Sequence, residues 1–209
     1  MSASTRFDEE WRALRCVDAE AGWSQLGDEL RARHEEPHRA YHGVGHVVSV
    51  THCLAELTEG KVPTELALAA FFHDAVYDPQ RSDNEARSAR LASEALSGLG
   101  VAPPAVEATV RTVEATARHV ATGELRVDTF LDADLSILGS PAEVYDRYAE
   151  AIRSEYGHLD AATYRAGRAE VLQGFLARPQ LFLTAGGRER FEETARRNLA
   201  RELGRLTPG

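Results

Sequence analysis

Histidine and acidic residues are the side chains in this sequence whose spacing suggests chemistry. His42 and His46 lie four residues apart in the segment YHGVGHVVSV. On a helix, that spacing places both imidazoles on one face. The pair could bind one metal ion together, or one could be a ligand while the other faces a substrate. The alternative is a polar helix start with two incidental histidines.

The segment HDAVYD places His73 directly before Asp74, after the apolar run LALAAFF. A carboxylate in so apolar a helix is costly unless it is paired or binds a cation. Neutral imidazole and carboxylate together suit a divalent cation. The two residues are therefore candidate metal ligands, and a hydrogen-bonded pair within the core is the alternative.

Two further aspartates, Asp132 and Asp134, lie in the apolar segment FLDADLSILG. Because they are two residues apart, they point to different faces of a helix, and we expect one of them to face the interior. A buried carboxylate needs a cation nearby, which the helix of His73 and Asp74 could supply through a metal. Four protein ligands from three helices would leave coordination positions open for water and substrate, as in catalytic sites.

The order of these residues resembles the motif H…HD…D of the HD superfamily of metal-dependent phosphohydrolases. The motif matches His46, the pair His73–Asp74 and, through the segment ADLS, Asp134 rather than Asp132. An uncharacterised bacterial group of predicted phosphohydrolases in that superfamily has similar segments throughout most of the chain. These segments are RAYHGVGH, FFHDAVYDP, SDNEARSA, FLDADLSILG, IRSEY and ARRNLARELGRL. The resemblance implies a helical HD-type domain that cleaves a phosphoester.

The segment around His42 is also similar to YHNxxHAxxV of the cyclic-nucleotide phosphodiesterases, which belong to the same superfamily. That resemblance implies that His42 is the general acid that protonates the leaving group and that His46 is a metal ligand. Gly43 stands where those enzymes have Asn. One or two divalent ions are implied, with Asp74 bridging a pair, and metal-bound hydroxide would attack phosphorus in line. The candidate ions are manganese, iron, cobalt, nickel, zinc and magnesium.

Other polar residues are predicted to surround this centre. Asp78 and Glu85 are candidates for holding a catalytic water or orienting a ligand. A helix C-terminal turn and a capping box begun by Ser82 explain the same two residues without catalysis. Phosphate binding needs cations, and the arginine fork matches phosphate oxygens. The candidate substrate-binding residues are Arg39, His119 and Arg153. The alternatives for His119 are that it binds a second metal or that it lies exposed at a helix C-terminus.

The hydrophobic pattern is helical almost throughout, because apolar residues recur at spacings of three and four. We find neither an internal repeat nor a linker, so the chain is predicted to be one all-α domain, residues 1–209, of the HD type with about eight to nine helices. The predicted helices are 6–34, 42–58, 64–77, 83–98, 103–119, 129–138, 141–157, 161–177 and 188–206. Ser82, Ser140 and Asp160 are the predicted N-caps, with Pro141 at a first helical position.

Composition narrows the classes of partner. A net charge of −9 and a pI of about 5.4 argue against a broad basic surface for duplex nucleic acid. Cys16 and Cys53 match no metal or redox spacing, which is typical of reduced thiols in the cytoplasm. The sequence contains no signal-peptide core and no apolar run of about 18 residues. We therefore expect a cytoplasmic monomer or homodimer without a membrane span, acting on a small phosphorylated substrate such as a nucleotide.

Two other functions fit parts of the same pattern. Some HD-type proteins are diiron oxygenases, which have two extra histidines between the HD pair and the last aspartate. Here only His119 lies in that interval, although Glu85 could replace the second. Iron content and oxygen consumption would distinguish that enzyme. The other alternative is a non-catalytic module that binds a metal or a nucleotide, against which the intact ligand set argues.

Overall fold

The computed structural model describes residues 1–14, 16 and 20–207 of the chain. Every regular element among them is a helix, and ten of these helices have nine residues or more. The all-α class is confirmed, whereas the predicted count of eight to nine helices falls short. The helices are α1 (Ala3–Ala13), α2 (Glu20–His34), α3 (Val44–Leu57), α4 (Thr64–Phe72), α5 (Asn84–Gly98), α6 (Pro103–Ala115), α7 (Leu125–Asp134), α8 (Ala142–Glu155), α9 (Ala161–Leu176) and the C-terminal helix (Glu193–Leu206). None of the described helices is both long and apolar enough to cross a membrane.

Two helices, α1 and α2, lie where one helix over 6–34 was predicted. They pack against each other through two tryptophans. The rings of Trp11 and Trp23 stack with centroids 4.2 Å apart and an interplanar angle of 8°. Each indole N–H donates to the backbone carbonyl of the other tryptophan, at 2.8 and 3.1 Å. In one continuous helix, residues twelve apart would lie about 18 Å from each other. The two tryptophans therefore belong to separate helices that pack against each other, and the part of the predicted helix at positions 15 and 17–19 lies outside the described residues.

Helix α4 is the centre of the first hydrophobic core. All of its residues from Leu66 to Phe72 are buried. A helix that is apolar on every side belongs in the middle of a bundle. The core around it includes Phe7, Trp11 and Leu54. His73 follows directly at the C-terminal end of this helix, so its position is fixed by the best-packed element of the chain.

Helices α8, α9 and the C-terminal helix form a second hydrophobic core, which includes Tyr145, Leu172, Phe182 and Leu199. Asp132 of α7 binds the segment between α9 and the C-terminal helix. Its carboxylate accepts hydrogen bonds from the backbone of Leu183 and Thr184 and from the Thr184 hydroxyl, at 2.6, 2.8 and 2.6 Å. One side chain thus caps a segment that lies fifty residues later in the chain.

Several predicted helix boundaries are wrong. Helix α5 begins at Asn84 after an N-cap at Asp83, so the predicted capping box begun by Ser82 does not form. Pro141 is the N-cap of α8 rather than its first helical residue. The N-cap at Asp160 is confirmed, because its carboxylate accepts hydrogen bonds from the backbone N–H groups two and three residues later.

Helices α4 and α6 end earlier than predicted, at Phe72 and Ala115. As a result, His73 and His119 lie at or beyond helix ends instead of inside helices. After α4, the guanidinium of Arg39 donates to the carbonyls of Asp74 and Ala75, at 2.6 and 3.4 Å. A side chain thus satisfies acceptors that a helix end leaves free.

Candidate metal centre and the adjoining histidine

Four of the predicted ligand side chains meet between α3, α4 and α7. The Nε2 atoms of His46 and His73 are 3.0 Å apart. Asp134 Oδ1 lies 3.0 Å from the first of these atoms and 3.5 Å from the second. Asp74 Oδ2 lies 3.5 and 3.1 Å from the same two atoms. Nitrogen and oxygen atoms from three separate helices therefore converge on one small volume.

His46, His73 and Asp134 could hold a metal ion, since one donor atom of each lies within 4.8 Å of the other two. Both histidines are buried, and the aspartate is half-buried. His73 Nδ1 donates to the backbone carbonyl of Ala70 at 3.0 Å. This bond leaves the Nε2 lone pair of the neutral imidazole facing the other ligands, as a metal ligand requires. The donor set and the orientation of the ring both fit a divalent cation.

Burial and neighbouring charges shift the pKa values in the cluster. Burial works to raise the pKa of Asp134, but the charge of His73 and hydrogen bonds to histidines hold it well below its ordinary value. Burial also works to raise the pKa of Asp74, but the charge of His73 and its hydrogen bond outweigh this effect and lower the pKa. Burial works to lower the pKa of His73, but the two carboxylates raise it well above 6.5. Two half-buried anionic carboxylates so close together at neutral pH favour a bound cation.

His42 lies beside this cluster and is held by Glu155. The centroids of the His42 and His46 rings are 5.8 Å apart. His42 Nδ1 donates to Glu155 Oε2 at 2.7 Å. Its Nε2 atom makes no hydrogen bond within the described part of the chain, and the ring lines a cavity between α8 and α9. A carboxylate that orients an imidazole through Nδ1 leaves Nε2 available for proton transfer.

Glu155 is a site residue that the sequence reasoning missed. It is 5% exposed. Its carboxylate also accepts hydrogen bonds from the backbone N–H groups of Tyr41 and His42 and from the Tyr77 hydroxyl, at 2.7, 2.9 and 2.8 Å. Burial works to raise its pKa, but the bond from His42 leads the contacts that lower it to about 2. Burial works to lower the pKa of His42, but the hydrogen bond to Glu155 and the nearby carboxylates raise it above its ordinary value.

The sequence does contain a signal for Glu155. Tyr145, Tyr148, Ile152 and Glu155 recur at spacings of three and four along α8. Three of these residues form the apolar stripe of the helix, and the fourth is a charged residue in the same stripe. Such a residue is buried by its position and must find partners.

Arg39 supports the backbone of the site and does not face it. The Arg39 side chain is fully buried. Besides the two carbonyls after α4, its guanidinium donates to the His42 carbonyl at 3.0 Å and to the Glu36 carboxylate at 3.0 Å. These contacts explain its burial without a phosphate group. They also fix the loop that carries His42 relative to the loop that carries Asp74.

His119 lies in the loop after α6 and reaches the cluster. Its Nε2 atom is 2.8 Å from Asp134 Oδ2. Its backbone has a φ of +47°, a left-handed conformation that is costly for a residue with a side chain. The Arg178 guanidinium donates to the His119 carbonyl at 2.6 Å. The His119 imidazole therefore contacts Asp134 Oδ2, whereas Asp134 Oδ1 faces His46.

Among the described residues, neither Asp78 nor Glu85 makes a hydrogen bond to the four-residue cluster. Asp78 forms a turn, in which its carboxylate accepts from the Gln80 N–H at 2.9 Å and its backbone bonds with the Asn84 side chain. Glu85 lies in the first turn of α5, and its charge acts on the hydroxyl of Tyr156. The catalytic roles of Asp78 and Glu85 stay predictions.

Arg153 closes the loop between α8 and α9. Its guanidinium donates to the carbonyls of Tyr156 and Leu159, at 2.7 and 3.1 Å. Its Cζ atom lies 4.6 Å from the centroid of the Tyr164 ring. In the structure Arg153 therefore contacts this loop and an aromatic ring, and its contact with phosphate stays a prediction.

The two aspartates of α7 have separate roles. Asp134 faces the histidines, whereas Asp132 is 1% exposed and is occupied by the segment before the C-terminal helix. Asp134 is thus the one that belongs to the candidate metal centre.

Comparison of this chain with known proteins finds no match. No protein-family model, no curated protein and no solved structure matches this chain. The interpretation of the site therefore depends on its own geometry and on the residue pattern.

Proposed function

We propose that the chain is a metal-dependent phosphohydrolase that cleaves a small phosphoester, such as that of a nucleotide. The observation that carries the proposal is the convergence of His46, His73 and Asp134 next to His42, whose Nε2 atom makes no hydrogen bond to any described residue. Metal ligands alone would also suit a structural site. An adjoining imidazole held by a buried carboxylate supplies the proton donor that general acid catalysis requires.

Each residue of the site has a role in the proposed reaction. His46, His73 and Asp134 would hold the cation, with Asp74 beside them. A divalent cation held there supplies Lewis-acid activation of water and of a phosphoryl oxygen. His42, kept protonated by Glu155, donates a proton from Nε2 to the oxygen that leaves phosphorus. Water adds to phosphorus as the ester bond breaks, so the products are phosphate and an alcohol.

The experiment compares two aspartates of one helix. Wild type, Asp134→Asn and Asp132→Asn are purified without chelators. Bound manganese, iron, cobalt, nickel, zinc and magnesium are measured by mass spectrometry, and phosphate release is measured on a panel of phosphoesters with each ion added. We expect near-stoichiometric metal and ion-dependent phosphate release in the wild type. Asp134→Asn should lose both, whereas folded Asp132→Asn should keep both.

Each other result contradicts part of the proposal. A folded wild type that binds none of the ions and releases no phosphate refutes it outright. Metal without phosphate release favours a binding module. Bound iron with oxygen consumption favours the oxygenase. A His42→Ala variant separates the steps, because we expect it to keep its metal while phosphate release falls by about 100-fold or more.

A further inference from the structure

A cavity adjoins the candidate metal centre and is lined by aromatic side chains. It has a volume of about 390 Å³ and lies between α8 and α9. Four aromatic rings line it, together with the aliphatic side chains of Ile152, Leu159 and Val171. The aromatic residues are Tyr148, Tyr156, Tyr164 and Phe175. Cavities of this size and composition are typical of small-molecule sites.

The cavity is continuous with the reacting end of the site. His42 is one of its lining residues. Tyr148 connects it with the metal ligands, because its ring lies 4.6 Å from that of Tyr41, which lies 4.8 Å from that of His46. A leaving group in the cavity would thus place its ester oxygen near His42.

The charge in the cavity does not suit phosphate. Arg168 is its one arginine, and Glu202 neutralises it with bonds of 2.8 and 3.0 Å. The cavity therefore suits an uncharged group, and the phosphoryl group belongs at the metal cluster.

Arginine side chains pack against two of the tyrosine rings that line the cavity. Arg168 lies over the ring of Tyr148 with its Cζ atom 5.4 Å from the centroid, and Arg153 covers Tyr164 in the same way. The hydroxyls of Tyr156 and Tyr164 make no hydrogen bond to any described residue. A planar ligand would find ring faces for stacking and two free hydroxyls for its polar edge.

We infer that this cavity binds the leaving group of the substrate and that this group carries a nucleobase-sized aromatic ring. The inference rests on the proposed function and narrows its substrate class to nucleotide-like phosphoesters. Stacking of a base on aromatic side chains contributes about 1–3 kcal/mol. A plain sugar or glycerol group would leave the four rings without a partner.

Two glycines of α9 allow a matched test. Gly167 lines the cavity, and a side chain added there would enter open space. Gly174 lies two turns further along the same helix, also faces open space, and does not line the cavity. Gly167→Phe should fill the cavity, and Gly174→Phe should leave it unchanged. Circular dichroism checks that both variants fold.

Binding of adenosine, uridine and ribose is measured by isothermal titration calorimetry. We expect at least one nucleoside to bind wild type and Gly174→Phe equally, to bind Gly167→Phe at least tenfold more weakly, and ribose not to bind. Gly167→Phe should also raise KM for nucleotides at least tenfold, whereas Gly174→Phe should leave that KM unchanged. Failure of both nucleosides to bind wild type, or equal binding by Gly167→Phe, overturns the inference.

The design separates this inference from the proposed function. Nucleosides have no phosphate, so their binding requires neither metal nor hydrolysis. Nucleoside binding without phosphate release under any ion would leave the cavity assignment standing and refute the hydrolase. Hydrolysis of glycerol phosphate without nucleoside binding would refute the cavity assignment alone.

Discussion

Replacement of Glu155 by Gln tests the energetics of the site without using a substrate. Gln has nearly the same shape as a protonated Glu, so the variant imitates a carboxyl that cannot ionise. The pKa of Glu155 falls from 4.5 to about 2 in the folded protein. At about 1.4 kcal/mol for each pKa unit, folding favours the ionised form by about 3 kcal/mol. We expect Glu155→Gln to lower the free energy of unfolding by about that amount at pH 7.

The pH dependence of this loss has a definite sign. A carboxyl whose pKa is lowered by folding contributes its full stability above its unfolded value, here 4.5, and loses it as the pH falls through the folded value. The difference between wild type and Glu155→Gln should therefore be largest between about pH 5 and pH 6.5 and shrink towards pH 2. Because Glu155 also raises the pKa of His42, the difference should decrease again as the pH rises through that pKa. Urea unfolding followed by circular dichroism measures it. At neutral pH it corresponds to a melting temperature lower by about 6–12 °C.

Glu150→Gln is the matched control, because Glu150 is an exposed residue of the same helix. We expect it to change the free energy of unfolding by less than about 0.5 kcal/mol. A loss below about 1 kcal/mol in Glu155→Gln, or a loss that stays constant between pH 6 and pH 3, would refute the assignment of Glu155 as a buried carboxylate held by His42.

Two other variants test buried groups outside the metal cluster. Asp132→Asn should lower the free energy of unfolding by about 2 kcal/mol, because an amide N–H₂ cannot accept the backbone N–H of Thr184; unchanged stability in urea would contradict this. Burial lowers the pKa of His34 from 6.5 to about 4, so wild type should lose about 3 kcal/mol of stability as the pH falls from 6.5 to 4. His34→Gln, which keeps a donor for the Phe71 carbonyl, should lack that loss; equal pH profiles would show that burial of the imidazole is not its cause.

The helical class and the candidate residues of the cluster could be predicted from residue type and spacing, whereas the choice of His46 and Asp134 among them came from the resemblance to the HD superfamily. His46, His73 and Asp134 are polar residues on otherwise apolar helices, so burial forces them to meet one another. The distinction between Asp132 and Asp134 could not be derived from helix periodicity alone. It depends on Leu183 and Thr184, whose backbone reaches α7 only in the folded chain.

The roles of the arginines could not be predicted, because residue type does not show which acceptors a guanidinium will reach. Arg39 and Arg153 both bond carbonyls where a helix ends, and helix ends are the least certain part of a sequence-based prediction. The division into α1 and α2 was missed for a similar reason. It follows from the contact between Trp11 and Trp23, which local periodicity does not encode.

The stacked pair of tryptophans has a consequence for spectroscopy. Trp11 and Trp23 are the two tryptophans of the chain, and both lie in the first hydrophobic core. Indole fluorescence therefore reports the opening of that core alone, while far-ultraviolet circular dichroism reports helices from both cores. If the two signals change at the same denaturant concentration, the two cores unfold as one cooperative unit. If fluorescence changes separately, the chain has two thermodynamic units, which are connected by α7 through Asp132 and by α8 through Glu155.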